Sequence, residues 1–293
     1  VVNRQHKRGD FILRAKEYCY QCLEGLTSRT AKLAGQDPAQ EEAALKKGLA
    51  YLNSSFSFSV IPTQLAGELQ RVIRTATENK DPFADVKKKE IALAASLVAG
   101  IKLKNDLPSL LALAALGNSI DFFVDLDTIK KELQSPVHFA RDNTKALEEL
   151  LAVFKKAKKR QQILYLADNA GECFFDLPLF QKLEEYAEVV YVVKENPAQN
   201  DLTLKDLQNL KIGAKFKKVI TTGTDTPGLD LSLASKSFCE TLINADLLLA
   251  KGMGYYETLP ELSLSQKIFY LFKAKCPPIA DSLSVPLNSY IAL

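Results

Sequence analysis

The chain has 293 residues, long enough for one large domain or two ordinary ones. Its 38 Lys and Arg against 35 Asp and Glu leave a formal net charge of +3, too small to argue for nucleic acid. No apolar run approaches the roughly 18 residues of a membrane span and no secretory leader opens the chain, so neither a membrane nor a nucleic acid is an expected partner and the expected compartment is the cytoplasm.

The first half reads as helices. Apolar positions recur at helical spacing over residues 10–34, 40–52, 62–79, 83–102 and 107–124, with Pro, Asn, Asp and Lys between them. Asp37-Pro38 and Asp81-Pro82 have the form of helix starts. Cys19 and Cys22 stand three apart in the first helical stretch. With five cysteines and two histidines in the whole chain, a zinc centre is hard to assemble, and a thioredoxin-type pair belongs at a strand-to-helix turn. Buried structural thiols in a reducing compartment are the expectation.

Asn118 and Asp121 are also three apart, hence on one helix face, within the strongly apolar segment 107–123. They form either a solvated stripe at a helix end or a polar pair turned toward a cleft, where buried polar groups need partners. The helical pattern continues over 128–135 and 139–158 and ends in Lys155-Lys156-Ala-Lys158-Lys159-Arg160, a cluster suited to stopping a helix.

After residue 160 the period changes. Apolar runs at 163–167, 188–194, 217–221, 246–250 and 269–272 have the length of strands, and helical stretches at 174–186, 203–210 and 232–243 lie between them. Strands alternating with helices imply a mostly parallel sheet. The expected fold class is therefore α/β, with a helical region, 1–158, packed on a three-layer α/β/α Rossmann-like core, 159–293.

Ligands in such sheets sit beyond the carboxyl ends of the strands. The first strand runs into Asp168-Asn169-Ala170-Gly171-Glu172. The glycine fingerprint of a dinucleotide site is absent, and negative charge stands where pyrophosphate would lie. A carboxylate and a carboxamide are hard oxygen donors suited to magnesium or manganese. The second strand leads to Asn200-Asp201-Leu-Thr203, where Asp201 is either a second oxygen ligand or a helix cap. The third ends in Thr221-Thr222-Gly223-Thr224-Asp225-Thr226-Pro227-Gly228, which reads more readily as a turn than as an oxyanion site. The fourth ends in Lys251-Gly252-Met253-Gly254-Tyr255-Tyr256-Glu257, with Lys251 either a partner for phosphate or an ordinary loop lysine.

Taken together, Gly117-Asn118-x-x-Asp121, Asp168-Asn169-Ala170-Gly171-Glu172, Asn200-Asp201-x-Thr203 and Lys251-Gly252-x-Gly254-x-x-Glu257 resemble the damage-control phosphatase family, domain of unknown function 89. The closing Lys273-Ala-Lys275-Cys276 is also similar to that family, and Cys19-x-x-Cys22 resembles its stand-alone microbial branch. The resemblance implies the fold above and one divalent metal ion held by Asp168, Asn169 and Asp201. It implies hydrolysis of small phosphorylated metabolites with manganese, cobalt, nickel or magnesium. One relative was described as a carboxyl methyltransferase, so that activity, with S-adenosylmethionine, stays as a rival beside a non-catalytic metal- or metabolite-binding protein.

The pattern departs from the family at Tyr255, where Asn is common, and at Lys194-Glu195-Asn196-Pro197, where Arg-Gly-x-Pro is more usual. On the phosphatase reading Asp168 is a catalytic metal ligand, or alternatively a covalent nucleophile, and Glu172 is a general base or a structural group. Lys251 and the amides near Gly171 bind phosphate, and Asn118 and Asp121 reach in to the substrate or the attacking water. The oligomeric state is not assigned.

Overall fold

The computed structural model describes residues 13–119 and 135–293. Five helices come first: α1 (Glu17–Ala34), α2 (Pro38–Ser55), α3 (Pro62–Thr77), α4 (Ala84–Ala99) and α5 (Leu107–Gly117). Asp37 and Asp106 cap α2 and α5 by accepting the amides of Gln40 and Ser109. Asp81 does not cap. Helix α4 starts two residues past Pro82, and the Asp81 carboxylate pairs instead with Lys87, 2.8 Å away. The expected helix from residue 10 begins at Glu17, because Lys16 is extended, with φ −115° and ψ 171°. Asp121, the end of the 107–124 stretch and nearly all of 128–135 lie outside the described residues.

The expected helix 139–158 is corrected. Phe139–Asp142 is a strand, β1, and α6 occupies only Thr144–Lys156. The rest of the chain forms β2 (Gln162–Leu166), α7 (Cys173–Leu183), β3 (Glu188–Val193), α8 (Leu204–Gln208), β4 (Val219–Thr221), α9 (Lys236–Asn244), β5 (Leu247–Lys251), α10 (Met253–Thr258), β6 (Lys267–Lys273), α11 (Pro277–Leu283) and β7 (Tyr290–Ala292). The strand order is β1-β7-β6-β5-β2-β3-β4. Only β6 and β7 pair antiparallel, so the protein is α/β with a seven-stranded, mostly parallel sheet.

Helices cover both faces of the sheet, which is why the central strands read as unbroken apolar runs. Ile163 and Tyr165 face a core with Leu110, Leu111, Leu147, Leu151 and Phe180, from α5, α6 and α7. Leu164 and Leu166 face the opposite core with Phe238 and Leu242 of α9 and Tyr255 of α10. Helices α1 to α3 and the start of α4 share a separate apolar cluster, with Leu23, Leu52, Leu69 and Phe83. No described helix is long and apolar enough to cross a membrane.

Strand β2 lies between β5 and β3, so the chain leaves it toward one edge and later returns on its other side. Crevices open at the carboxyl ends of strands at such a reversal. Asp168 follows β2 there, and Lys251 ends β5 beside it.

Candidate active site

Two loops meet beyond β2. Asn169 and Asp201 form an isolated antiparallel bridge, and the Leu202 amide donates to the Asp168 carbonyl at 2.8 Å. Asp201 is thereby brought to Asp168 by backbone pairing. The helix cap at this loop is Thr203, which shares a capping box with Asp206. The Asp201 side chain is therefore not the cap.

Helix α4 holds the same loop. Lys87 binds Asp206 at 2.7 Å, and the buried Glu90 accepts from Asn200 Nδ2 at 2.9 and 3.1 Å. Gly171 lies beneath α4, and a Cβ there would stand 3.0 Å from the Glu90 carbonyl oxygen. The missing side chain permits that close approach. Gly252 has φ +81°, and a Cβ would come within 2.0 Å of Asp168 Oδ2. The Asp168 carboxylate therefore lies directly over the glycine that turns the chain out of β5.

The side chains form a layered network. Asn118, at the end of α5, donates from Nδ2 to Asp168 Oδ2 at 2.9 Å and to Glu172 Oε1 at 2.7 Å, and its Oδ1 accepts the Lys273 amide at 3.0 Å. Asn169 Nδ2 donates to Asp168 Oδ2 at 3.2 Å and to Glu172 Oε1 at 2.7 Å. With its nitrogen anchored this way, the Asn169 carbonyl oxygen is kept out of these bonds. Lys251 Nζ lies 2.6 Å from both Glu172 Oε2 and Asp176 Oδ1. Asp176 also accepts from Tyr165 at 2.7 Å and Tyr191 at 2.9 Å.

These bonds set the charges. Burial first, then the neighbouring Glu172 and Asp201 carboxylates, push the Asp168 pKa well above the usual range. Burial also raises Asp201, to about 6, against the opposing charge of Lys194. Burial acts on Glu172 too, but the charge and hydrogen bond of Lys251 outweigh it and hold that carboxyl low. Glu172 is thus an ionised hub, 1% exposed, that accepts from Asn118, Asn169 and Lys251.

Asp201 Oδ2 is buried and has no hydrogen-bond partner among the described residues. Lys194 Nζ, 3.6 Å away, offsets its charge without a hydrogen bond, and a coordinated cation would remove the rest of the cost of a buried, unsatisfied carboxylate oxygen. The donor set Asp168, Asn169 and Asp201 is hard oxygen throughout and fits a divalent ion such as magnesium or manganese. Among the described residues no cluster of His, Cys, Asp and Glu alone is arranged as a metal site.

Several participants were not singled out from the sequence. Asp176 had a signal, since a carboxylate four residues after Glu172 in an apolar helix shares its face. Lys194 had the same strand-end position as Lys251. Glu90 and Lys87 had none, because the loop residues they hold, Asn200 and Asp206, lie more than a hundred residues away.

The thiols divide: Cys19 is buried, Cys22 is exposed, and all five cysteines are free. The expectation of a buried pair is corrected at Cys22, which α1 turns to solvent. Cys276 lies near both, and burial, with smaller effects from Glu257 and those thiols, pushes its own up to about 12.

A family model for the damage-control phosphatase ARMT1-like domain matches residues 15–291. A damage-control phosphatase of Pyrococcus horikoshii is 33% identical over 285 residues, which cover 96% of this chain and 98% of the relative. One of Archaeoglobus fulgidus is 27% identical over 297 residues, covering 96% and 99%. The crystal structure of a domain-of-unknown-function-89 protein from Pyrococcus horikoshii superimposes with a TM-score of 0.82 at 32% identity, covering 96% of this chain and 98% of that one.

Proposed function

The chain belongs to the damage-control phosphatase ARMT1-like family, and on that premise we propose that it is a divalent-metal-dependent hydrolase of small phosphorylated metabolites. Its relatives' names support a phosphatase role. The observation that carries the metal is the orphaned, buried Asp201 Oδ2, paired through the backbone to the Asp168-Asn169 turn.

In this reading Asp168, Asn169 and Asp201 hold one ion of manganese, cobalt, nickel or magnesium. When bound, such an ion supplies charge for a phosphoryl oxygen and acidifies water. Asn118 fixes the Asp168 carboxylate. Glu172 anchors the Asn169 amide nitrogen, which presents the carbonyl oxygen as a ligand, and this positioning role suits its ionised, fully engaged state better than general base. Lys251 holds Glu172 and Asp176 in place. In the reaction, the water oxygen bonds to phosphorus, the ester P–O bond breaks, and the water proton reaches the departing alkoxide to give an alcohol and inorganic phosphate.

The test is metal dependence with a panel of phosphomonoesters. Chelator-treated protein should not release phosphate, and one of the four cations should restore release. Asp168→Asn and Asp201→Asn should each lower turnover by at least about 100-fold, beyond the ~10–100-fold typical of a ligand's outer partners, while circular dichroism stays native. Full turnover by chelated protein, or by either variant, would exclude this assignment.

A further inference from the structure

Two buried ammonium groups flank the carboxylates, and their surroundings differ. Lys251, 0% exposed, is bound to two carboxylates, each 2.6 Å away. Lys194, just past β3, is equally buried, at 1% exposure. Its close partners are neutral oxygens: the Gly228 carbonyl at 2.5 Å and the Tyr255 hydroxyl at 3.2 Å. The nearest carboxylate oxygen is the orphaned Asp201 Oδ2, 3.6 Å away, an ion-pair distance longer than a hydrogen bond.

An ammonium has three protons to donate, and a carbonyl and a phenol take only two of them. A full positive charge in a buried place without a hydrogen-bonded carboxylate is unusual. The Tyr255 ring, 0% exposed, lies 4.7 Å from Lys194 Nζ and shields one side. The Tyr255 hydroxyl accepts from Lys194, and its own proton has no acceptor among the described residues. One acceptor without a donor therefore stands beside two donors with spare protons. That asymmetry suits a bound cation–oxyanion pair, with the cation on Asp201 and the anion on Lys194 and Tyr255.

Resting on the hydrolase reading above, we propose that Lys194 and Tyr255 form the seat for the substrate's phosphoryl oxygens, while Lys251 is a structural counter-ion. Both act on the phosphoryl group that every substrate shares.

The experiment measures binding of inorganic phosphate by calorimetry in saturating magnesium, for the wild type, Lys194→Gln and Tyr255→Phe. Loss of a charge-assisted bond should weaken phosphate by roughly 10- to 100-fold in Lys194→Gln, and loss of a neutral one by about 3- to 10-fold in Tyr255→Phe. Phosphate affinity should fall by more than magnesium affinity in both variants, since neither side chain is a proposed ligand of the metal. Unchanged phosphate binding in either folded variant, or no phosphate binding by the wild type, overturns the proposal. A loss of magnesium instead of phosphate in Lys194→Gln also overturns it, because Lys194 would then only position Asp201. If Lys194→Gln does not fold, Tyr255→Phe alone decides by the same measure. Wild-type turnover of phosphomonoesters is scored separately. Turnover with unaffected variants sinks only the seat, and phosphate binding through these residues without turnover sinks only the hydrolase.

Discussion

Lys251 joins Asp176 of α7 and Glu172, the residue just before that helix, to the end of β5, and all three side chains are within 1% of complete burial. Burial opposes each charge, and the mutual attraction and hydrogen bonds offset it only while every member is present. Lys251→Met should therefore lower stability by roughly 3–5 kcal/mol, because Glu172 and Asp176 would remain as uncompensated buried carboxylates. Urea denaturation at neutral pH measures this, and a change under about 1 kcal/mol would show the pair to be effectively hydrated. The lysine was visible in the sequence as a strand-end cation. Its partners were not, because either loop solvent or phosphate was an equally good destination for an ammonium at that position.

Elements of the helical region clasp the loops around the site. Arg71 of α3 binds Asp225 Oδ1 at 2.7 Å, Arg74 binds Oδ2 of the same carboxylate, and Arg74 Nη1 donates to the Pro197 carbonyl at 2.6 Å. The loops after β3 and β4 are thus tied to a single helix. Burial alone would raise the Asp225 carboxyl, but the two guanidinium groups hold it below the usual range. Asp225→Asn should cost about 1–2 kcal/mol, discounted for partial exposure. The sign of its pH dependence follows from the depressed folded pKa. The stabilisation is fully present above the unfolded carboxylate value of about 3.9, and it is lost as pH falls through the lower folded value. The stability gap between wild type and Asp225→Asn should close between pH 4 and more acid conditions, and a gap constant down to pH 2 would remove the ionic explanation. At this scale the sequence showed α3 as an amphipathic helix, but not that its polar face meets loops more than 120 residues later.

At the scale of the molecule, the sheet is not confined to the second half of the chain. Strand β1 pairs with β7, and α5 and α6 supply Leu110, Leu111, Leu147 and Leu151 to one face of the central strands. A fragment of residues 159–293 should therefore lack cooperative thermal unfolding, since that face would be exposed to water at about 25 cal/mol per Å² of apolar area. A sharp two-state melt from this fragment would show the core to be self-sufficient. By itself the sequence determined the class of fold, most helices, the central parallel strands and the ends at which Asp168, Asp201 and Lys251 stand. Those features follow from local period and from strands buried on both sides, which leave a continuous apolar record. Strands β1 and β7 escaped because they are short and at or near the sheet's edge, where pairing rather than side-chain pattern makes the strand. Only the tertiary structure decided that Asp201 turns to the Asn169 turn while Thr203 caps, that Glu172 is saturated by Asn118, Asn169 and Lys251, and that Lys251 is hydrogen-bonded to two carboxylates while Lys194 is hydrogen-bonded to neutral oxygens. Each of those depends on which distant groups share a buried space, and burial converts an ambiguous polar residue into a required partner.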